Sequence, residues 1–168
     1  MSYDDFLQSV SSPDLQRIAV HWNQARGGRA MPGWHDIRPS QIAPQLPFIW
    51  VYRYDRAADR FTGRLAGDPI ENTFGKSFRG TPMTELYPKE EYSRLFARAK
   101  RVACEPALFH SDGMVFIHVE RFGQGERIIM PLGDDGILGD GIFGATTYES
   151  FRGKPAEGAV ENETWFAL

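Results

Sequence analysis

Only one cysteine, Cys104, occurs in the 168 residues. A lone thiol excludes an internal disulfide and any multi-cysteine metal site. Histidine is sparse too, and positions 21, 35, 110 and 118 show no paired ligand spacing. Basic charge is not in excess: the formal net charge is -3, against the clustered Lys/Arg of a nucleic-acid binder. No apolar run approaches the roughly 20 residues that a membrane span needs. The first residues, MSYDDFLQSV, lack a basic n-region and a long apolar h-region, so no signal peptide is expected. The expected compartment is the cytoplasm, with neither nucleic acid nor membrane as a partner.

Rings, by contrast, are plentiful. Aromatic residues make up 13% of the chain and hydrophobic residues 42%, enough for a core or a cavity walled by rings. A chain of this length buries most of its unfolded surface without staples.

Ser12-Pro13-Asp14 reads as a helix start: a capping hydroxyl, a proline suited to the first turn, and an acid at the positive end of the dipole. Leu15, Ile18 and Trp22 then recur on one stripe, and Gly27-Gly28 ends the helix. Prolines 32, 39, 44 and 47 mark an irregular linker. From Phe48 the period changes to two, with Phe48, Trp50, Tyr52 and Tyr54 alternating against Ile49, Val51 and Arg53. FTGRLAG reads as the second strand of a hairpin. A short helix follows from Asp68-Pro69 to about Phe74, and a long one over Lys89 to Glu105. Three more strands are expected: GMVFIHVERF and ERIIMPL joined at Gly-Gln-Gly, then ILGDGIFGATTYES. Pro131 marks an edge or a bulge.

The pattern predicts an α+β fold: a five-stranded antiparallel sheet with helices inserted between strands two and three, plus an N-terminal helix. The segments expected are an N-terminal helix and linker over 1–46, the sheet domain over 47–150, and a tail over 151–168. Both faces of the strands are apolar, so both need cover. The inserted helices supply one cover, and the N-terminal helix of this chain or of a second chain supplies the other.

The stretch LAGDPIENTFGKSFRG, residues 65–80, raises the question of a phosphate cradle. Gly67, Gly75 and Gly80 fit neither G-x-G-x-x-G nor G-x-x-x-x-G-K-[ST], and they read instead as chain reversals. His110-Ser111-Asp112-Gly113 holds the letters of a hydrolase triad. Neighbours on an extended chain point to opposite faces, however, so it reads as a turn or strand start. GDDGILGDG misses the calcium-loop register, and Glu90-Glu91 need only the helix dipole to explain them.

Two strands, AGDPIENTFGKSFRG, TELYPKEEYSRLFARAKRV and three strands, in that order, resemble a PAS domain. More narrowly, the chain resembles a small stand-alone PAS-fold family of alphaproteobacteria whose function is largely unassigned. The matching residues are Trp22, Arg64 to Gly67, Phe74-Gly75, Gly80, Glu85-Leu86, Met130-Pro131-Leu132 and Asp135-Gly136, over roughly residues 13–150. The resemblance implies a sensory or interaction module. It names no cofactor: a flavin domain would carry a Cys where this chain reads ENTFGKSFRG, and a haem domain of the oxygen-sensor kind a His on the long helix, which has none.

What remains is a cavity. The ligand-binding set expected is Trp50, Leu65, Phe74, Leu86, Phe96, Phe116 and His118, with His118 the polar handle for a small hydrophobic or aromatic ligand. Leu15, Ile18 and Trp22 are expected to form the surface of a homodimer or of a protein partner. No output domain lies within these residues, so signalling is expected in trans. The competing readings are a docking protein with a solid core, and an enzyme using His118 with Glu120. Catalysis is not expected.

Overall fold

A computed structural model describes residues 2–118 and 120–168, with His118 described by its backbone alone. The N-terminal helix starts where its cap dictates. The Ser12 hydroxyl accepts from the Leu15 amide at 3.4 Å, Pro13 opens the helix and Gly27 ends it. A shorter helix precedes it: α1 (Tyr3–Ser9) is closed by a capping box of Ser2 and Asp5, and α2 is Pro13–Arg26. The proline-rich linker forms 3-10 turns at Trp34–Asp36 and Pro39–Phe48.

Among the described residues the sheet has six strands, not five. They are β1 (Ile49–Asp55), β2 (Arg60–Ala66), β3 (Ala107–His118), β4 (Arg121–Leu132), β5 (Gly141–Arg152) and β6 (Glu161–Ala167), in the order β2-β1-β5-β4-β3-β6. Every neighbouring pair is antiparallel. Between β2 and β3 lie α3 (Asp68–Phe74), α4 (Met83–Leu86) and α5 (Lys89–Cys104).

The extra strand comes from the tail. Pairs from Ala107↔Ala167 to Gly113↔Glu161 join β6 to the edge of β3. Alternation then sends Glu161, Glu163 and Trp165 to one face and Phe166 to the other. Of the turn or strand start expected at His110-Ser111-Asp112-Gly113, the structure has the strand: all four residues lie within β3. Its polar letters have inward partners: His110 Nε2 lies 2.7 Å from Glu126, and the Ser111 hydroxyl donates to Glu161 at 2.7 Å. Likewise Gly123-Gln124-Gly125 is no hairpin loop but part of β4. Pro131 sits in a central strand, yet the β3–β4 pairing has stopped at Phe109↔Ile129, so the missing donor disrupts no ladder bond there.

Both faces of the sheet are covered by this chain. On one side α1, α2 and the second 3-10 segment bury Phe6, Leu15, Ile18 and Trp22 against Val51, Ile128, Phe143 and Phe166. On the other, α3 to α5 bury Phe61, Phe78, Val102 and Phe109. This corrects the expected interface. Leu15, Ile18 and Trp22 are each 0% exposed, and the Trp22 indole donates to the Pro131 carbonyl at 2.8 Å. The sheet's apolar face takes the nearest cover, the helix tethered to it.

Candidate functional site

The side of the sheet beneath α3 to α5 is not filled. A cavity of about 1010 Å³ lies there, at the large end of the roughly 300–1,000 Å³ common for small-molecule sites. Its wall is mostly apolar: Trp50 from β1, Ile70 and Phe74 from α3, Met83 and Leu86 from α4, and Phe116, Ile129 and Ile142 from the sheet. One reason for the hollow is Gly123. A Cβ there would stand 2.1 Å from the Phe116 ring, so the ring lies against the strand and meets Tyr148 edge-on at 4.8 Å. Polar groups on the wall pair with one another. The Trp50 indole donates to Thr146 at 2.9 Å, and the Tyr52 hydroxyl donates to Tyr87 at 3.4 Å. Burial raises the pKa of both phenols.

One end of the cavity is charged. Arg94 and Arg98 come from α5, Arg127 from β4, and Glu161 from the start of β6. Arg98 donates to the two oxygens of Glu161 at 3.3 and 2.8 Å and also to Glu163. Arg127 donates to Glu161 at 2.6 Å and to the Val115 carbonyl. The side chains of Arg98 and Glu161 are only 4% and 7% exposed. Burial pushes the Glu161 carboxyl up, but Arg127 and Arg98 outweigh it and bring the group down to about 2. Burial lowers the pKa of Arg127, against the pull of Glu161. Arg98 also lies over the Phe109 ring at 4.5 Å, and among the described residues its Nε has no hydrogen-bond partner.

A family model described as a PAS domain matches residues 10–145, which is most of the chain. The protein belongs to the PAS-domain family. No curated protein and no solved structure matches it. The matched span takes in α2, the first four strands and the start of β5, whereas β6 lies beyond it. Among the described residues, no helix is long and apolar enough to cross a membrane, and no three His, Cys, Asp or Glu side chains are grouped to hold a metal ion.

Of the residues expected to share one surface, the PAS cavity brings together Trp50, Phe74, Leu86 and Phe116. The His118 side chain lies outside the described residues. Leu65 is turned away, 36% exposed. A bulge shifts the β1–β2 register between Val51 and Tyr52, pairing Val51 with Leu65 but Tyr52 with Gly63. The extra residue, Arg64, flips the face on which Leu65 falls. Phe96 also misses the cavity: its ring meets Phe61 at 5.8 Å and Tyr92 at 5.6 Å, while its neighbour Leu95 lines the wall. Sequence reasoning missed the charged end. Its available signal was arginine at 94 and 98, one turn apart, on an otherwise amphipathic helix.

Proposed function

We propose that this PAS domain is a sensory or regulatory module whose cavity binds a small, largely apolar molecule. The observation that carries the reading is the hollow itself, about 1010 Å³ walled mainly by rings and aliphatic groups. A wall of rings and aliphatic groups gives water few hydrogen-bond partners, so a largely apolar molecule suits this space better than solvent does. That weighs against a docking protein with a solid core.

Binding fits the polar groups better than turnover does. Ser111 donates to Glu161, an arrangement that elsewhere serves a nucleophile and its base. With its pKa near 2, however, Glu161 is a weak proton acceptor at neutral pH. Because Leu15, Ile18 and Trp22 are used internally, a protein partner would read the bound state on another surface.

Native and denaturing mass spectrometry of freshly purified protein, with an ultraviolet–visible scan, tests the reading. A companion molecule that stays in the native spectrum and leaves on denaturation supports it and gives the ligand's mass. A bare chain that also binds no member of a small-molecule panel would refute it.

A further inference from the structure

The charged end of the cavity is completed by a strand outside the family-matched span, β6, which brings Glu161 to the arginines of α5 and β4. At its period of two, β6 turns Glu161, Glu163 and Trp165 toward α5, where Arg94, Arg98 and Arg101 recur at helical spacing. Glu161 and Glu163 bond Arg98, Arg94 reaches the same two carboxylates at 3.3 and 3.4 Å, and Arg101 lies 4.0 Å over the Trp165 ring. One carboxylate thus serves several donors. Oxygen Oε1 of Glu161 receives Arg127, Arg98 and Ser111, and Oε2 receives Arg98 and Arg94.

Glu161 is also part of the cavity wall. A carboxylate already stands at the edge of a large apolar space, held by buried guanidiniums that line the same space. We infer that the cavity takes an apolar molecule bearing a carboxylate, whose head group displaces Glu161 from Arg98 and Arg127 and so loosens strand β6. The inference rests on the cavity being a ligand site, and it names the ligand's chemistry.

The exchange is favourable in kind because it swaps one anion for another. Planar carboxylate and guanidinium pair through two parallel bonds, so the incoming head group leaves neither arginine as an unpaired buried charge, and Glu161 moves to water. A neutral ligand of the same body offers no such replacement. Glu161 is the first residue of β6 and pairs with Gly113 at the end of the β3–β6 ladder, so its release frays the strand from that end. Ligand occupancy is thereby converted into a change in the sheet's edge, a population shift driven by differential affinity.

The test compares dodecanoate with dodecanol, which share a tail and differ in the head group. By calorimetry, dodecanoate is expected to bind roughly tenfold to a hundredfold tighter, as for a hydrogen-bonded charge. Glu161→Gln is expected to tighten dodecanoate further and to widen its lead over dodecanol. In the unmodified chain, amide exchange over residues 161–165 should quicken with dodecanoate and not with dodecanol. Equal affinities, or unchanged exchange in β6 at saturating dodecanoate, would overturn the head-group inference while the cavity remains a ligand site. If neither molecule binds, the inference falls together with the reading beneath it.

Discussion

At the scale of single residues, opposing effects decide the state of Glu161. Burial alone would favour the neutral acid, yet Arg127 and Arg98 reverse it and leave the pKa at about 2 against an ordinary 4.5. A pKa lower in the folded state than in the unfolded one contributes stability that is present above the unfolded value. That stability is lost as the pH falls from there through the folded value. At roughly 1.4 kcal/mol per pH unit, the difference corresponds to about 3 kcal/mol at neutral pH. Glu126 acts in the same direction. Burial raises its pKa, but the His110 bond and the Ser11 and Ser12 amides more than offset that and hold the carboxyl below 4.5. Urea unfolding followed from neutral pH down to about pH 2 should therefore show stability falling below about pH 4.5. Glu161→Gln should be less stable at neutral pH and show a shallower acid loss. An unchanged acid slope in that variant would mean that the carboxylate is as solvated in the folded chain as in the unfolded one.

At the scale of elements, β6 is held by both cores at once. Trp165 meets Phe109 edge-on at 4.9 Å on the cavity side, while Phe166, 3% exposed, meets Phe6 at 5.6 Å on the other. Phe166→Ala is expected to cost about 3–5 kcal/mol, read as a lower urea midpoint. A loss below about 1 kcal/mol would mean that the strand is frayed in solution. The sequence hides this strand for a physical reason: ENETWFA is acidic because two of its inward residues meet arginines, so the usual apolar alternation is masked. Elements whose signals are local were readable. Ser12-Pro13-Asp14 marked α2, alternating rings marked β1, and the long helical pattern over Lys89 to Glu105 marked α5. Of the cavity wall, Trp50 and Phe116 follow from strand alternation, whereas Phe74 and Leu86 stand in the stretches that resemble the family. Leu65 was misplaced because a bulge reverses the parity of every residue beyond it, and nothing in FTGRLAG distinguishes a bulged strand from a regular one. Beyond the pair of arginines on one helix face, the charged end was not legible because Arg98 and Glu161 stand 63 residues apart in the chain. Each alone looks like surface charge until the pairing of β3 with β6 joins them.

At the scale of the molecule, one sheet separates two cores, and each depends on cover from a different part of the chain. Residues 49–145 supply Ile49, Val51, Ile128, Met130 and Phe143 to the first core, but the opposite wall is Phe6, Leu15, Ile18 and Trp22. Glu126 fixes that wall in place by accepting from the Ser11 and Ser12 amides at 2.7 Å each, at the entry to α2. Helix α2 is therefore part of the fold, in keeping with a family match that begins at residue 10, just after α1 ends. Burying a large apolar side chain is worth roughly 1.5–3 kcal/mol, so those four residues together approach the whole stability of an ordinary domain, roughly 5–15 kcal/mol. A chain shortened to residues 47–150 loses that wall and also the β6 carboxylates that neutralise Arg98 and Arg127. It is expected to give no cooperative thermal transition and to bind a hydrophobic dye strongly at room temperature. Shortening only the N-terminus, to residues 28–168, keeps the arginines paired and isolates the first core: the same loss there would assign the effect to α1 and α2. A sharp, reversible transition in the 28–168 chain would instead show that the sheet with its inserted helices folds alone, with the N-terminal helices docked on it as a separable cover.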